Sequence, residues 1–274
     1  MFHVQRIASL DLPELAPYRT LKLSHEHRVR GIFVAEGDKV THRLLASQLV
    51  VVSVLLPEHR LAEYEPALRA RGEDVLVFSV TDKRVLEELV GFELFQGVMA
   101  VAKIPSPPAL CDLIQTNISP RLFVAADGLT NAENVGVLVR NCVAFSAQAL
   151  IVSETCASPY LRRAVRNSMG TIFQLPIIES KNLANDLTEL KRLSVRCIAA
   201  HAHTEQRILK GVNFNQDCCI VFGSEGHGIS KNVLSLCDES VAIPMSPDVD
   251  SLNVASAAAI FLYEASQQRT IRGG

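Results

Sequence analysis

Residues 218–230, CCIVFGSEGHGIS, join an apolar run to a glycine-rich turn and to the start of a helical pattern. A continuous apolar run is typical of a strand that is buried on both faces of a parallel sheet. Ligands bind such sheets at the carboxyl ends of the strands, where this turn lies. Gly223, Gly226 and Gly228 allow backbone angles and a close ligand approach that side chains would prevent. We therefore expect a ligand-binding turn within an α/β domain.

The same order of apolar run, turn and helical pattern continues on both sides of this stretch. The predicted strands from Arg121 onwards are RLFVAAD, ALIVS, TIFQLPI, VRCIAA, CCIVFG and VAIPM. The predicted helices cover residues 134–146, 160–168 and 181–193, a segment after Ile229 and the C-terminal end. Apolar strands between helices predict a mostly parallel sheet that is covered on both faces.

The first hundred residues show a smaller α/β pattern. Its predicted strands are GIFVA, VVVSVLL, DVLVFS and GVMAVAKI, and its predicted helices are DKVTHRLLASQ, EHRLAEYEPALRARG and TDKRVLEELV. The proline-rich stretch 105–120 follows, and prolines restrict helices and donate no ladder hydrogen bonds. We therefore predict two domains, residues 1–104 and 121–274, joined by a linker at 105–120.

The composition limits the class of protein. The chain has 274 residues, of which 48% are hydrophobic, so it is long enough for two domains with a substantial core. Its seven cysteines form no CxxC pair and are odd in number, which favours a reducing, cytoplasmic setting. The N-terminus has acidic residues where a signal peptide would be basic, and no apolar run has the length of a bilayer span. We expect a soluble cytoplasmic protein without a membrane partner.

The charge of the chain points to local basic clusters. The formal net charge of −2 argues against a wholly basic nucleic-acid coat protein, so any RNA contact must come from clusters. One cluster has Arg19, Lys22, Arg28 and Arg30 against Glu26. The other has Arg162, Arg163 and Arg166 with no acid between residues 160 and 170. Each also suits a solvated helix face, which is the simpler interpretation of the pattern alone.

Several common sites fit the glycine turn poorly. Its order is G-x-x-G-x-G, the reverse of the dinucleotide fingerprint, and it lacks the early βαβ position of a nicotinamide-dependent oxidoreductase. GSEG does not place Ser224 in the G-x-S-x-G elbow of an esterase. His201 and His203 form an H-x-H pair without a third metal ligand, so we predict no metal. A tight turn without a ligand stays open as the simplest alternative.

Two further junctions of the same kind lie on either side. In DGLTNAENVGVLVRNCVAF, Asn134, Gly136 and Arg140 open a helix, where Asn134 and Asp127 also suit a helix-capping role. Arg140 interrupts an apolar run, which capping does not explain. In IPMSPDVDSLNVASAAAIFLYEA, residues 243–265, a polar loop leads into a helix of small and apolar residues.

The three junctions together resemble the SpoU, or TrmH, family of SPOUT methyltransferases, which methylate a ribose 2′-hydroxyl of RNA with S-adenosylmethionine. The motif N-x-G-x-x-x-R is matched by Asn134, Gly136 and Arg140. The motif G-x-E-G-x-G-(I/L) is matched by 223–229, and I-P-M...S-L-N-V by 243–245 with 251–254. The resemblance covers residues 121–270. The first domain is similar to the small α/β/α substrate-binding domain of many members, through Glu36, Gly37, Gln96 and Gly97.

The resemblance implies a fold, a cofactor and a set of site residues. It implies a C-terminal trefoil knot, which apolar patterns do not predict because chain connections are almost never knotted. It places S-adenosylmethionine against Gly223, Gly226, Gly228, Ile243, Met245 and Leu252. It assigns catalytic or supporting roles to Arg140, Asn134, Glu225, Ser251 and Asn253, and it raises the expectation that Arg162, Arg163 and Arg166 contact RNA phosphates.

The resemblance also implies partners. We expect a homodimer that acts on RNA and not on DNA, with structured ribosomal RNA favoured over transfer RNA by analogy alone. The alternatives are a transfer RNA 2′-O-methyltransferase and a non-catalytic RNA-binding protein with the same fold. A nicotinamide-dependent oxidoreductase is a third, poorer alternative. The resemblance gives Asp248 and Asp250 no role.

Overall fold

A computed structural model describes residues 1–21, 24–82, 86, 97–202, 204 and 207–270. The chain divides into two compact units. The first consists of Met1–Pro105 with Tyr160–Phe173, and the second of Ser106–Pro159 with Gln174–Gly274. The compact units thus differ from the predicted domains, because a segment from the second half of the chain packs in the first unit. The predicted linker also contains a helix, α5 (Leu110–Thr116).

The first unit contains a five-stranded mixed sheet in the order β1–β4–β3–β5–β2. Its strands are β1 (Phe2–Ile7), β2 (Ile32–Glu36), β3 (Val51–Pro57), β4 (Val75–Val80) and β5 (Met99–Lys103). Strands β1, β4 and β3 are parallel, whereas β5 is antiparallel to β3 and β2. Its helices are α1 (Ala16–Arg19), α2 (Ser24–Val29), α3 (Asp38–Leu45), α4 (Leu61–Arg69) and α7 (Arg162–Asn167). Most of the predicted helix TDKRVLEELV lies outside the described residues, as does Gln96.

The second unit contains a six-stranded sheet in the order β11–β9–β10–β6–β7–β8, and every strand pair in it is parallel. Its strands are β6 (Leu122–Asp127), β7 (Ala149–Val152), β8 (Ile177–Glu179), β9 (Arg196–Ala200), β10 (Cys218–Gly223) and β11 (Glu239–Val241). Besides α5, its helices are α6 (Ala132–Ala144), α8 (Leu183–Arg192), α9 (Lys231–Leu236) and α10 (Val254–Thr270). The predicted α/β class with a parallel sheet is confirmed.

Two predicted strands are shorter than expected, and each contains a proline. TIFQLPI forms a 3-10 turn at Thr171–Gln174, and β8 begins only after Pro176. VAIPM shares only Val241 with β11; Ala242 forms an isolated parallel bridge with Ile208, and Ile243 and Met245 lie outside β11 on either side of Pro244. Proline has no backbone N–H for the ladder, so neither strand includes its proline.

The strand order places the glycine turn at the centre of the second sheet. Strand β10 lies between β9 and β6, and Gly223 pairs in register with Asp127 at the end of β6. Helix α10 packs beside this strand, where the rings of Phe222 and Phe261 meet edge to face with centroids 5.7 Å apart. Ala258 in the same helix is fully buried, since a small side chain permits close approach. No helix among the described residues has the length and apolar character to cross a membrane.

Candidate active site

The turn after β10 is closed by its own backbone. Ser224 N donates to Gly228 O at 3.0 Å, and Gly228 N donates to Ser224 O at 2.9 Å. Gly228 has a φ of 67°, a left-handed conformation that favours glycine. A Cβ atom on Gly223 would overlap the backbone of Gly228 and Ile229. The close approach that requires glycine at 223 is therefore an approach of the chain to itself, and it fixes the shape of the turn.

Asp127 anchors the far side of this turn. Its side chain is buried, and its Oδ2 accepts a hydrogen bond of 2.8 Å from Ser230 N, directly before α9. It does not cap α6, and neither does Asn134. The cap is Asn131, whose Oδ1 accepts from Glu133 N at 2.8 Å. The capping alternative is therefore wrong for both residues: Asn134 lies inside a helix that begins two residues earlier than predicted, and Asp127 binds Ser230 N instead.

The three sequence motifs meet at the side chain of Asn253. Its Nδ2 donates to Asn134 Oδ1 at 3.2 Å and to Glu225 Oε1 at 2.5 Å, across 119 and 28 residues of sequence. Its Oδ1 accepts from Ala255 N at 2.9 Å and so caps the start of α10. The amide uses both donor hydrogens and one acceptor position, and its partners define which side is nitrogen. One side chain thus joins the first motif, the glycine turn and the C-terminal helix.

Arg140 lies on α6 with its side chain exposed. Within the part of the chain that the structure describes, no hydrogen bond or ion pair holds its guanidinium. The next residue, Asn141, does make a long-range contact: its Nδ2 donates to Ala255 O at 2.7 Å. Arg140 therefore offers an unneutralised cation on the same helix as Asn134, and a guanidinium binds phosphate or carboxylate through parallel N–H donors.

A cavity of about 290 Å³ opens beside the glycine turn. All six residues predicted to bind the cofactor line it, together with Glu225 and Ser251: Gly223, Gly226, Gly228, Ile243, Met245 and Leu252. Arg140, Asn134 and Asn253 are not among its lining residues. The volume is close to the lower end of the range for small-molecule sites, about 300–1,000 Å³.

The wall of this cavity combines apolar side chains and backbone polar groups that suit a nucleoside. Ile243, Met245 and Leu252 offer an apolar surface to a flat base, while the turn offers backbone N–H and C=O groups to a ribose. The residues present therefore fit S-adenosylmethionine. Sequence reasoning missed His201 and Phe261, which also line the cavity. The apolar sequence of β9 could have indicated His201, because this residue directly follows β9 and β9 pairs with β10.

The three arginines predicted to bind RNA lie in the first unit, and their environments differ. The side chains of Arg162 and Arg166 both contact Glu36, which is buried; the Arg166 Nη1–Glu36 Oε1 distance is 3.2 Å. Arg43 Nη1 also donates to Met169 O at 2.7 Å and holds the segment that follows α7. Arg163 is exposed, and no ion pair to it is found among the described residues. Arg162 and Arg166 thus have a structural contact, whereas RNA binding by the three arginines stays a prediction.

One group of possible metal ligands in the described residues is held by an ion pair. In the first unit, ligand atoms of Asp38, His42 and Glu63 lie within 4.8 Å of one another. The guanidinium of Arg60 donates to both carboxylates, at 2.5 Å to Asp38 and 2.8 Å to Glu63. A cation already occupies the place that a metal would take. Of the H-x-H pair, His203 lies outside the described residues, as does Lys22 of the first basic cluster.

The cysteines take no part in this site. All seven lie in the described part of the chain and are free thiols. Burial raises the pKa of Cys197 and of Cys237 to about 12 in each case, with the neighbouring Asp238 adding to the shift. Both thiols are therefore protonated at neutral pH, and the thiolate is the reactive form.

Comparison with known proteins agrees with this arrangement. The model of the family described as the SpoU rRNA Methylase family matches residues 121–263. The uncharacterized tRNA/rRNA methyltransferase Rv0881 of Mycobacterium tuberculosis is 31% identical over 274 residues, with 96% of this chain and 92% of the relative covered. The 23S rRNA (guanosine-2′-O-)-methyltransferase RlmB of Ralstonia nicotianae is 29% identical, with 78% of this chain and 85% of the relative covered.

Solved structures show the same fold. The SpoU methyltransferase AviRb of Streptomyces viridochromogenes has a TM-score of 0.79 at 26% identity, with 94% of this chain and 97% of that chain covered. The AdoMet-bound rRNA methyltransferase of Sinorhizobium meliloti has a TM-score of 0.82 at 23% identity, with 96% and 98% covered. The family inferred from three short motifs is thus confirmed over most of the chain, and this protein belongs to the SpoU rRNA methylase family.

Proposed function

We propose that this protein transfers a methyl group from S-adenosylmethionine to the 2′-hydroxyl of a ribose in RNA. The observation that carries the proposal is the junction at Asn253, which joins Asn134 and Glu225 beside a cavity suited to a nucleoside. Family membership and the RNA methyltransferases among the relatives support the same activity.

The cofactor would lie in the cavity beside the glycine turn. When bound, S-adenosylmethionine supplies an electrophilic methyl group on a positively charged sulfur. The backbone of Gly223–Gly228 would hold its polar groups, and Ile243, Met245 and Leu252 would pack against its base. The closed turn fixes the N–H and C=O groups before binding, so little freedom is lost when the ligand enters.

The protein's main tasks are to position the ribose and to stabilise charge on its oxygen. A 2′-hydroxyl must approach in line with the bond that breaks, and correct orientation supplies much of the rate. Arg140 stays protonated, since a guanidinium does not lose its proton in proteins. We assign it to the RNA phosphate and to the negative charge that develops on the 2′-oxygen, with water as the final proton acceptor.

The polar residues around Asn253 hold the parts of the site in register. Glu225 accepts from Asn253 and fixes the exposed tip of the glycine turn. Asn134 accepts from the same amide and fixes the beginning of α6, the helix that carries Arg140. Ser251 lines the cavity one residue before Leu252, where its hydroxyl is available to the substrate or the cofactor.

The RNA class and the assembly are also part of the proposal. The name of the RlmB relative supports ribosomal RNA as the substrate, while the M. tuberculosis relative's name covers both transfer and ribosomal RNA. We propose a cytoplasmic homodimer whose first domain, residues 1–104, binds the RNA. We also propose that residues 241–253 complete a trefoil knot. In support, the cavity beside the turn after β10 is also lined by residues that follow β11, although β11 lies two strands away from β10: Ile243, Met245, Ser251 and Leu252.

Methyl transfer by the purified protein tests the proposal. Ribosomal RNA and transfer RNA are each incubated with S-adenosylmethionine labelled in the methyl group, and digested RNA is analysed for 2′-O-methylnucleosides. We expect label in ribosomal RNA; label in transfer RNA alone would support the first alternative. RNA binding without transfer would indicate a non-catalytic binding protein. Binding of a nicotinamide cofactor in place of S-adenosylmethionine, measured by calorimetry, would indicate an oxidoreductase.

The Arg140→Lys variant tests the role of the guanidinium. Lysine keeps the charge but loses the planar pair of donors, so we expect turnover to fall by about 10- to 1,000-fold, as for loss of a preorganised oxyanion donor. The matched control is Arg192→Lys, an exposed arginine on α8 whose only described partner is Glu189, and it should retain full turnover. Near-normal turnover of Arg140→Lys would contradict the positioning role of Arg140.

A further inference from the structure

We propose that Asn141 is a positioning residue, which holds the helix of Arg140 in register with the third motif. The proposal rests on the proposed methyl transfer and adds a residue that the three motifs do not contain. Asn141 follows Arg140 directly, yet its side chain does not bond within its own helix. Its Nδ2 donates to Ala255 O at 2.7 Å, across 114 residues of sequence.

The contact falls on the residue that Asn253 also binds. Ala255 N donates to Asn253 Oδ1 at 2.9 Å, while Ala255 O accepts from Asn141. Ala255 lies in the first turn of α10, where its carbonyl also accepts the backbone bond of the helix, so Asn141 uses the second acceptor position of this oxygen. The N–H and the C=O of one residue are thus held from two sides, by the third motif and by the helix of the first motif.

Helices α6 and α10 would otherwise be joined in this region mainly by apolar contact and by the Asn253–Asn134 bond at the exposed surface. The buried face of α6 carries Val135, Leu138 and Val139, and α10 presents alanines in this region. Apolar packing is non-directional, and small side chains set few steric limits on sliding. The Asn141 bond is directional and half-buried, so it specifies the position of α6 along α10.

This register decides where Arg140 lies relative to the substrate. Arg140 and Asn134 are on α6, whereas Asn253 and the cavity wall at Leu252 lie directly before α10. A displacement of about 1 Å in a reacting geometry can reduce a rate by about 100-fold. Loss of the Asn141 bond should therefore reduce turnover far more than it reduces binding of either substrate.

The test compares Asn141→Ala with the loss of a matched bond at the far end of α10, the helix to which Asn141 donates. Gln268 Nε2 donates to Val212 O at 2.9 Å, and its Oε1 accepts from Phe214 N at 2.9 Å. Gln268→Ala thus removes at least as many amide-to-backbone bonds from α10, far along the helix from Asn253. Both variants are measured for kcat, for KM with RNA, for the Kd of S-adenosylmethionine and for Tm.

We expect Asn141→Ala to lower kcat by about 10- to 100-fold, in line with a misplacement of the reacting groups. Its KM for RNA and its Kd for S-adenosylmethionine should change by less than about threefold, since neither ligand contacts Asn141 in the proposed site. Gln268→Ala should lower Tm by at least as much and leave kcat within about twofold. Equal kcat values for the two variants would overturn the positioning role, because they would reduce Asn141 to one stabilising bond among others.

A double-mutant cycle with Asn253→Ala separates this proposal from the proposed function. If Asn141 acts through the turn at Ala255, Asn141→Ala should cost less than about threefold in kcat once Asn253 is already replaced. Multiplicative losses would overturn the proposal while wild-type turnover still upheld methyl transfer. If the wild type transfers no methyl group to RNA, the proposed function fails. The coupling between Asn141 and Asn253 is then tested by urea unfolding of the wild type, the two single variants and the double variant. Additive changes in the free energy of unfolding would overturn the coupling. Asn141→Asp, which lacks the donor, replaces Asn141→Ala should the latter not fold.

Discussion

The substitution Gly223→Ala tests the closed glycine turn on which the site is built. The added Cβ would overlap backbone atoms of both Gly228 and Ile229, and no side-chain rotation can move these atoms aside. Carbon atoms pack at about 3.5–4.0 Å, so the turn must retreat by on the order of 1 Å. Such a shift breaks the paired hydrogen bonds between Ser224 and Gly228.

The magnitude follows from these two effects. Overpacking in a tight site costs about 1–3 kcal/mol. Each lost backbone hydrogen bond costs about 1 kcal/mol. Because the two effects overlap, we expect Gly223→Ala to lower the free energy of unfolding by about 2–4 kcal/mol. The affinity for S-adenosylmethionine should fall by at least about tenfold, which corresponds to about 1.4 kcal/mol, since the turn provides the backbone groups of the cavity.

Gly226→Ala is the matched control, three residues along the same turn. A Cβ atom at Gly226 meets nothing within 4 Å, and its φ is not in the left-handed region. Urea unfolding should therefore give wild-type stability within about 0.5 kcal/mol for this variant. Calorimetric titration with S-adenosylmethionine then shows whether Gly226 touches the cofactor. Wild-type stability and affinity of Gly223→Ala would refute the steric argument and the assignment of this turn to the site.

Three further predictions concern the first unit. Burial alone would raise the pKa of Glu73, but hydrogen bonds from Arg71 and from backbone N–H groups lower it from 4.5 to about 2. The ionised carboxylate therefore stabilises the fold above pH 4.5, and this contribution is lost as the pH falls towards 2. Between pH 5 and 2, the free energy of unfolding of Glu73→Gln should depend less on pH than that of the wild type. Arg163→Ala should reduce the salt dependence of RNA binding by about one unit in the slope of log K against log salt, without loss of Tm. Equal salt slopes for Arg163→Ala and the wild type would contradict an RNA contact at Arg163. By contrast, Arg162→Ala should lower Tm, because it removes a partner of buried Glu36.

Much of the second sheet could be predicted because its strands are continuous apolar runs. Strands β6, β7, β9 and β10 were each predicted within two residues of the observed ends. Burial on both faces leaves such a strand no polar alternation, so hydrophobicity alone marks it. Strand β1 was missed because it lies at a sheet edge, where His3, Val4, Gln5 and Arg6 are exposed and its pattern resembles a loop.

The candidate site was only partly predictable. The motif residues were identified through resemblance, since neither composition nor periodicity brings Asn134, Glu225 and Asn253 together. Their meeting depends on strand order, and residues 119 positions apart acquire a contact only through the fold. The same holds for Asn141, whose partner lies 114 residues away and whose sequence neighbours give no sign of it. Arg162 and Arg166 show the converse, because a basic cluster does not reveal that a buried carboxylate binds two of its members.

The proposed methylation of a ribose 2′-hydroxyl of RNA by this protein can be tested in cells. Its most direct test is mass spectrometry of nuclease fragments of ribosomal and transfer RNA from cells with and without the gene. We predict that one fragment of ribosomal RNA from cells without the gene lacks a methyl group on ribose, and that the gene for wild-type protein restores it while the Arg140→Lys variant does not. Identical methylation of both RNA classes in the two cell lines would contradict ribose methylation by this protein.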